Sequence, residues 1–335
     1  MEEKTWEQTS RRVTERGVDR EGAREPVRKS EKEGARESWG KSEKETARKA
    51  EEKAEYKTEV SLRRRGYALV RLLGRGNFSK VFLVENGAGV RFACKVSRDK
   101  QVLYREACVM EEIEHPLFPK FEEFWQEEEG YLVMEYVEGG TLEEMLKRRG
   151  RFSTAGTVKA GLELASGLGW LHEQKGMVYR DVKPSNIIIC QDGKVKLVDV
   201  GCVCALGTGM DSVAGTPGFA APEQLREGER LTATCDVYGL GRTLEAMLGA
   251  GKGRKTKRVL PGMRRMSRKL KRIIAACTRE ERERRFPDMK SVTMALIQAE
   301  NSSELQRPRR GWEADVMKRR ILIQKNIWES CYKNT

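Results

Sequence analysis

No apolar run in this chain approaches the ~18 residues that a membrane-spanning helix needs, and the opening Met1-Glu2-Glu3-Lys4 has no apolar stretch of the signal-peptide kind. A transmembrane segment and a secretory leader are therefore not expected. Hydrophobic residues are only 38% of the chain and charged residues 35%. That is polar for a packed domain, so part of the chain is expected to stay outside a core. The 8 cysteines (Cys94, Cys108, Cys190, Cys202, Cys204, Cys235, Cys277 and Cys331) lack the paired spacing of a zinc site. They are too few for a disulfide scaffold, and reduced thiols fit a cytoplasmic protein. The basic stretches lack interleaved aromatics, which argues against a stacking surface for nucleic acid.

The charge that is present is unevenly placed. Residues 1–60 hold 16 Lys/Arg and 16 Asp/Glu and cancel, whereas residues 250–335 hold 24 Lys/Arg against 9 Asp/Glu, an excess of +15 that accounts for the whole chain's formal +14. The first 61 residues carry a repeat of twelve: Gly22-Ala23-Arg24-Glu25 leads to Lys29-Ser30-Glu31, and Gly34-Ala35-Arg36-Glu37 to Lys41-Ser42-Glu43. Twelve fits no coiled-coil period, and apolar residues are too sparse to bury a stripe. Residues 1–61 read as a disordered or transiently helical arm, or as one that spaces or docks a partner. Residues 301–335 read as a basic tail.

From Tyr67 the texture changes. Stretches 67–73, 81–84, 91–96 and 131–134 read as strands, and 101–114 as a helix. After Gly139-Gly140 the pattern is mainly helical, over 141–149, 153–173, 231–249, 266–277 and 288–299. A β-rich part followed by a larger helical part predicts an α+β, two-lobed fold over about 62–300, a small lobe at about 62–134 and a large one at about 138–300, with a cleft between.

Several motifs fit phosphoryl transfer, which needs positioning and charge neutralisation more than covalent chemistry. Leu73-Gly74-Arg75-Gly76-Asn77-Phe78-Ser79 is a glycine-bearing turn whose backbone N–H groups can approach phosphates; alone it is a weak signal. Lys95 sits on an otherwise apolar strand and needs a partner, for which Glu106 on the next helix is the candidate. Tyr179-Arg180-Asp181-Val182-Lys183-Pro184-Ser185-Asn186 precedes an apolar strand, and packing does not explain its polar residues. Asp181 can accept a substrate hydroxyl's proton, Lys183 can neutralise the γ-phosphate, and Asn186 can hold Mg²⁺. Asp199, thirteen residues past Asn186, can hold a metal bridging the phosphates.

In this order the motifs resemble the eukaryotic-type (Hanks-type) serine/threonine protein kinase family: the glycine-rich turn, Ala93-Cys94-Lys95, Glu106 with His115-Pro116, Arg180-Asp181, Asp199-Val200-Gly201 and Ala221-Pro222-Glu223. The resemblance covers about 235 residues. It implies the bilobal kinase fold, ATP with Mg²⁺ (Mn²⁺ as an alternative), and protein substrates. It also implies that Leu73, Val81, Ala93 and Ile188 sandwich adenine, that Met134 is the gatekeeper, and that Glu135, Tyr136 and Val137 form the hinge. Met110, Phe121, Tyr179 and Val200 would stack between the lobes. Arg285 would pair with Glu223, Asp236 would brace the catalytic loop, and Thr216 would bond Asp181 and Lys183. Ser79 in place of a third glycine, Tyr179 for histidine and Val200 for phenylalanine depart from the pattern without removing a catalytic group.

Lys183 and Thr216 tilt the resemblance to serine/threonine specificity. Arg180 is placed to read a phosphate on the activation segment, with Thr208 and Ser212 as acceptors and autophosphorylation as the expected route. The basic stretch at 252–272 reads as a solvated face, a dock for acidic protein segments, or an anionic-surface site. Two other functions stay open: a nucleotide-gated binding module without catalysis, and a small-molecule kinase, against which Thr216 and Ala221-Pro222-Glu223 argue.

Overall fold

The computed structural model describes residues 53–76, 78–208, 215–249 and 261–304, the side chains of 261–267 and 302–304 excepted. The twelve-residue repeat, Ser212, the basic run 252–258 and the tail patch around Trp328 lie outside these residues.

Residues 53–64 form a helix (α1), within and just beyond the stretch expected to end a disordered or transiently helical arm at residue 61. The chain divides between Thr58 and Glu59. In the part beginning at Glu59, Leu62 is fully buried among Tyr67, Phe82, Val84 and Trp125. Trp125 Nε1 donates to Ser61 Oγ at 3.1 Å, and the Arg65 guanidinium lies 5.3 Å from the Trp125 ring. Two anchoring residues are too few to give a periodic signal in a charged sequence, yet a buried Leu and a satisfied indole N–H are enough to dock a helix end.

Next come β1 (Tyr67–Arg75), β2 (Ser79–Asn86), β3 (Arg91–Ser97), α2 (Lys100–Glu112), β4 (Phe121–Gln126) and β5 (Gly130–Glu135). The strands form one antiparallel sheet in the order β1-β2-β3-β5-β4. Strand β4 was not expected. A register shift between Phe121 and Glu123 breaks its alternation, so its apolar residues do not recur with period two. Helix α2 starts at Asp99, whose carboxylate accepts from Val102 N at 3.0 Å.

The large lobe begins at β6 (Gly139–Thr141) and α3 (Leu142–Arg149), then α4 (Thr154–Lys175), β7 (Met177–Val178), β8 (Ile187–Cys190), β9 (Val195–Leu197), β10 (Cys204–Ala205), α5 (Thr234–Leu248), α6 (Pro261–Cys277) and α7 (Met289–Glu304). Thr141 and Glu144 close a reciprocal capping box at the start of α3. Strands β6, β8 and β9 make a three-stranded sheet, and β10 pairs with β7. The expected two-lobed α+β arrangement is what forms.

One apolar cluster runs through both lobes. It holds Leu132 and Met134 of β5, Met110 of α2, and Tyr179, Leu197 and Val200 of the large lobe, with Phe121 against it. Gly139 is where backbone packing is tightest: an added Cβ would collide with Ile189 O and stand 2.8 Å from Ile188 Cγ2. Gly139→Ala is expected to cost roughly 1–3 kcal/mol, since the obstructing atom belongs to a paired strand. A matching fall in the urea midpoint at unchanged m-value checks it.

Candidate functional site

The strand register places the first candidates. Lys95 on β3 lies opposite Val81 on β2 and Leu132 on β5, in an apolar sheet that offers its ammonium no partner. Its Nζ meets Glu106 on α2, at 2.8 Å from Oε1 and 2.7 Å from Oε2, and Asp199 Oδ1 at 3.0 Å. Burial opposes the Lys95 charge, but the two carboxylates outweigh it and hold its pKa above the ordinary lysine value. Burial pushes the Glu106 carboxyl up to about 7 against the pull of Lys95, with Asp199 adding to the rise. Asp199 is driven up by burial too, but Lys95 and the Gly201 N–H keep it below the usual carboxylate range. The acid beside the cleft therefore stays ionised.

The catalytic-loop candidates are held from beneath. Arg180 has φ 72°, a left-handed backbone unusual for a residue with a side chain. Buried Asp236 on α5 fixes this turn, accepting from Tyr179 N and Arg180 N at 2.7 Å each. His172 Nε2 sits on the same carboxylate at 2.7 Å. Gln224 Nε2 donates to Arg180 O at 2.8 Å. Three side chains, Asp236, His172 and Gln224, thus define the path into Asp181.

Asp181 is almost fully buried, and each carboxylate oxygen is engaged. Oδ1 accepts from Thr216 Oγ1 at 2.8 Å. Oδ2 lies 2.7 Å from Lys183 Nζ and accepts from Asn186 Nδ2 at 2.9 Å. Lys183 Nζ also donates to Thr216 Oγ1 at 2.7 Å. The Asn186 amide nitrogen is spent on Asp181, and its oxygen, which also accepts from Ser185 Oγ at 3.4 Å, is the group able to take a cation. Lys183 and Asn186 of the stretch leading into β8 and Thr216 from a distant segment thus converge on one carboxylate.

The apolar candidates are buried or packed on the main cluster, with Ile188 beside Gly139. Ala93, Met134 and Val137 are buried, and Leu73 and Val81 pack against the main cluster. Ile188 stands in β8 beside Gly139. Gly74 and Gly76 lie at the end of β1, where Gly76 N donates to Ser79 O at 2.8 Å. Glu135 ends β5, its carboxylate on Lys196 of β9. Glu223 is buried in a two-pronged ion pair with Arg285 at 2.6 and 2.8 Å.

The activation-segment candidates are less concentrated. Thr208 is exposed, its hydroxyl donating to Ala205 O at 2.7 Å. Arg180 Nη1 donates to Cys204 Sγ at 3.8 Å. Sequence reasoning missed His172, Lys196 and Gln224. Each is a polar residue in an unremarkable stretch, and only its distant partner marks it out.

The family described as protein kinase domain matches residues 67–303. Among curated proteins the chain is 35% identical over 186 residues to the human "cAMP-dependent protein kinase catalytic subunit PRKX", covering 52% of this chain and 51% of that one. It is 33% identical over 204 residues to "Protein kinase 2" of Dictyostelium discoideum, covering 57% and 42%. It is 31% identical over 188 residues to "Serine/threonine-protein kinase PEPKR2" of Arabidopsis thaliana, covering 54% and 39%. The chain thus matches about half the length of these relatives or less.

Proposed function

The chain belongs to the protein kinase family, and we propose that it transfers the γ-phosphoryl group of Mg-ATP to serine and threonine hydroxyls of protein substrates. The observation that carries this reading is the Asp181 carboxylate, engaged by Lys183, Asn186 and Thr216, together with Lys95, which reaches Asp199. Asp181 is the base that takes the acceptor hydroxyl's proton. Lys183 and Lys95 neutralise phosphate charge, and Leu73, Val81, Ala93, Met134, Val137 and Ile188 enclose the adenine. Gly74 and Gly76 bring backbone N–H groups to the phosphates.

Members of this family use ATP with a divalent metal. The donors here suit a hard cation: one carboxylate, Asp199, and one amide oxygen, Asn186. Among the described residues there is no group of three His, Cys, Asp or Glu able to cage a metal. The ion would therefore depend on nucleotide phosphates and water for its other ligands, which is the habit of Mg²⁺ rather than of a resident structural metal. Bound there, it supplies charge neutralisation.

The finer partners are part of the same proposal. Acidic protein segments dock on the basic large lobe, Arg180 reads a phosphate placed on Thr208 or Ser212 by autophosphorylation, and the enzyme works in the cytoplasm. No helix among the described residues is long and apolar enough to cross a membrane. The test is transfer from γ-labelled ATP to a generic protein substrate, followed by phosphoamino-acid analysis. Label on serine and threonine, abolished by a metal chelator, supports the reading. Nucleotide binding without transfer would instead indicate a nucleotide-gated binding module.

A further inference from the structure

Lys196 has been given no role above, yet its ammonium bonds the carboxylate of the hinge residue Glu135 and a backbone carbonyl. It lies on β9 in the large lobe, opposite Ile188 of β8. Its Nζ stands 2.8 Å from Glu135 Oε1 and 2.6 Å from Glu135 Oε2, and donates to Phe118 O at 3.3 Å. The Lys196 side chain is only 18% exposed and Glu135 35%, so water screens this pair less than it does a surface pair.

The partners define what the lysine does. Glu135 is the last residue of β5, where the small lobe gives way to the connection into the large one. Its carboxylate also accepts from Lys120 N at 3.1 Å, and its own N–H donates to Lys120 O at 2.9 Å. Phe118 belongs to the segment between α2 and β4, and its ring lies 6.2 Å from that of Tyr179. One ammonium on the large lobe therefore holds two small-lobe segments, 118–120 and the end of β5. The next residues of β9 continue the tie: Leu197 N donates to Leu117 O at 2.8 Å, and Val198 N to Asn186 O at 3.0 Å. Asp199 follows directly. Three consecutive residues thus bind the hinge, the 117–120 segment and the metal-site asparagine into one strip.

We infer that Lys196 is a positioning residue, an interlobe latch that fixes the first hinge residue to the large lobe and thereby slows nucleotide exchange. The inference rests on the proposed nucleotide site in this cleft. With the latch closed, Glu135 is tied to Lys196, the β9 partner of Ile188, so the adenine slot keeps its width between the lobes. With the latch broken, the strip from 196 to 199 keeps its backbone hydrogen bonds while the hinge is released, and the slot opens more readily. Nucleotide would then bind less tightly and leave sooner, without loss of the groups that act on the γ-phosphate.

The test compares Lys196→Met, Lys196→Arg and the wild type in KM for ATP, kcat, and dissociation of a fluorescent ADP followed by stopped flow. Lys196→Met is expected to raise both KM for ATP and the ADP dissociation rate roughly fivefold to tenfold, with turnover not reduced. Lys196→Arg keeps a cation on Glu135 and is expected to return both within about twofold of wild type. Wild-type KM and ADP dissociation in a folded Lys196→Met protein would overturn the latch, as would a fall in kcat alone. If Lys196→Met does not fold, Lys196→Gln removes the charge while keeping a polar side chain and is read the same way. Failure of the wild type to transfer phosphate sinks the kinase reading instead, and the ADP measurement still decides the latch.

Discussion

Asp181→Asn is expected to bind ATP as the wild type does and to transfer its phosphate roughly 10²–10⁴-fold more slowly, the usual contribution of a placed general base. The substitution keeps the shape and removes the role proposed for the carboxylate, accepting a proton as the hydroxyl attacks. Three donors converge on it, from Thr216, Lys183 and Asn186. An amide in its place must turn its NH₂ toward one of them, so a local stability loss of about 1 kcal/mol accompanies the kinetic one. That loss is too small to unfold the protein and cannot mimic the rate effect. Lys95, Glu106 and Asp199 keep their mutual contacts, so KM for ATP stays within a few-fold. Transfer at more than a tenth of the wild-type rate would remove Asp181 from the base role, and a raised KM at unchanged kcat would move it to nucleotide binding.

The groups proposed to act on phosphate were legible in the sequence because that chemistry tolerates few residue types. An Asp, a Lys and an Asn at fixed offsets before an apolar strand have no packing explanation, and Lys95 on an apolar strand announces a missing partner. Their supports were not legible. His172 and Asp236 are 64 positions apart, Gln224 and Arg180 44, and Lys196 and Glu135 61. No periodicity joins residues so distant, because the fold alone brings them together. The fold divides the same way. Strands β1 to β3 show in their alternating Val, Phe and Leu, and helix α4 in its long apolar pattern between Ser153 and Gly176. Strand β4 hides behind its bulge, and the end of α1 behind the charge of the arm that precedes it. The left-handed turn at Arg180 is dictated by what Asp236 holds from below, which no local propensity encodes.

Arg285→Ala is expected to be the most destabilising single change in the large lobe, at about 3–5 kcal/mol, because it strips the partner from a buried charge. The Arg285 side chain is wholly buried and Glu223 nearly so. Beyond its fork onto Glu223, the guanidinium donates to Arg279 O, Glu280 O and Thr234 O at 2.7, 2.8 and 3.1 Å, and it lies 4.9 Å from the Tyr238 ring. Truncation leaves the Glu223 carboxylate with the weak Cys235 thiol as its side-chain donor and takes the guanidinium donor from three carbonyls. A melting temperature lowered by roughly 10 °C is the expected reading for a domain of this size. Arg285→Lys recovers little of it, since a single ammonium cannot match a carboxylate and three carbonyls in one plane. The pair also leaves an acid signature. Burial raises the Glu223 carboxyl, but Arg285 outweighs it and holds it below the ordinary glutamate value. Its contribution is therefore full above the unfolded glutamate pKa and lost as pH falls through the lower folded one. Wild type should lose stability across that acid window more steeply than Arg285→Ala, which has no pair left to lose. Gln224, next to Glu223, carries the hydrogen bond to Arg180 O. Residual folded Arg285→Ala should therefore also transfer phosphate more slowly, and equal specific activity would show that the ion pair stabilises the lobe without positioning the catalytic loop.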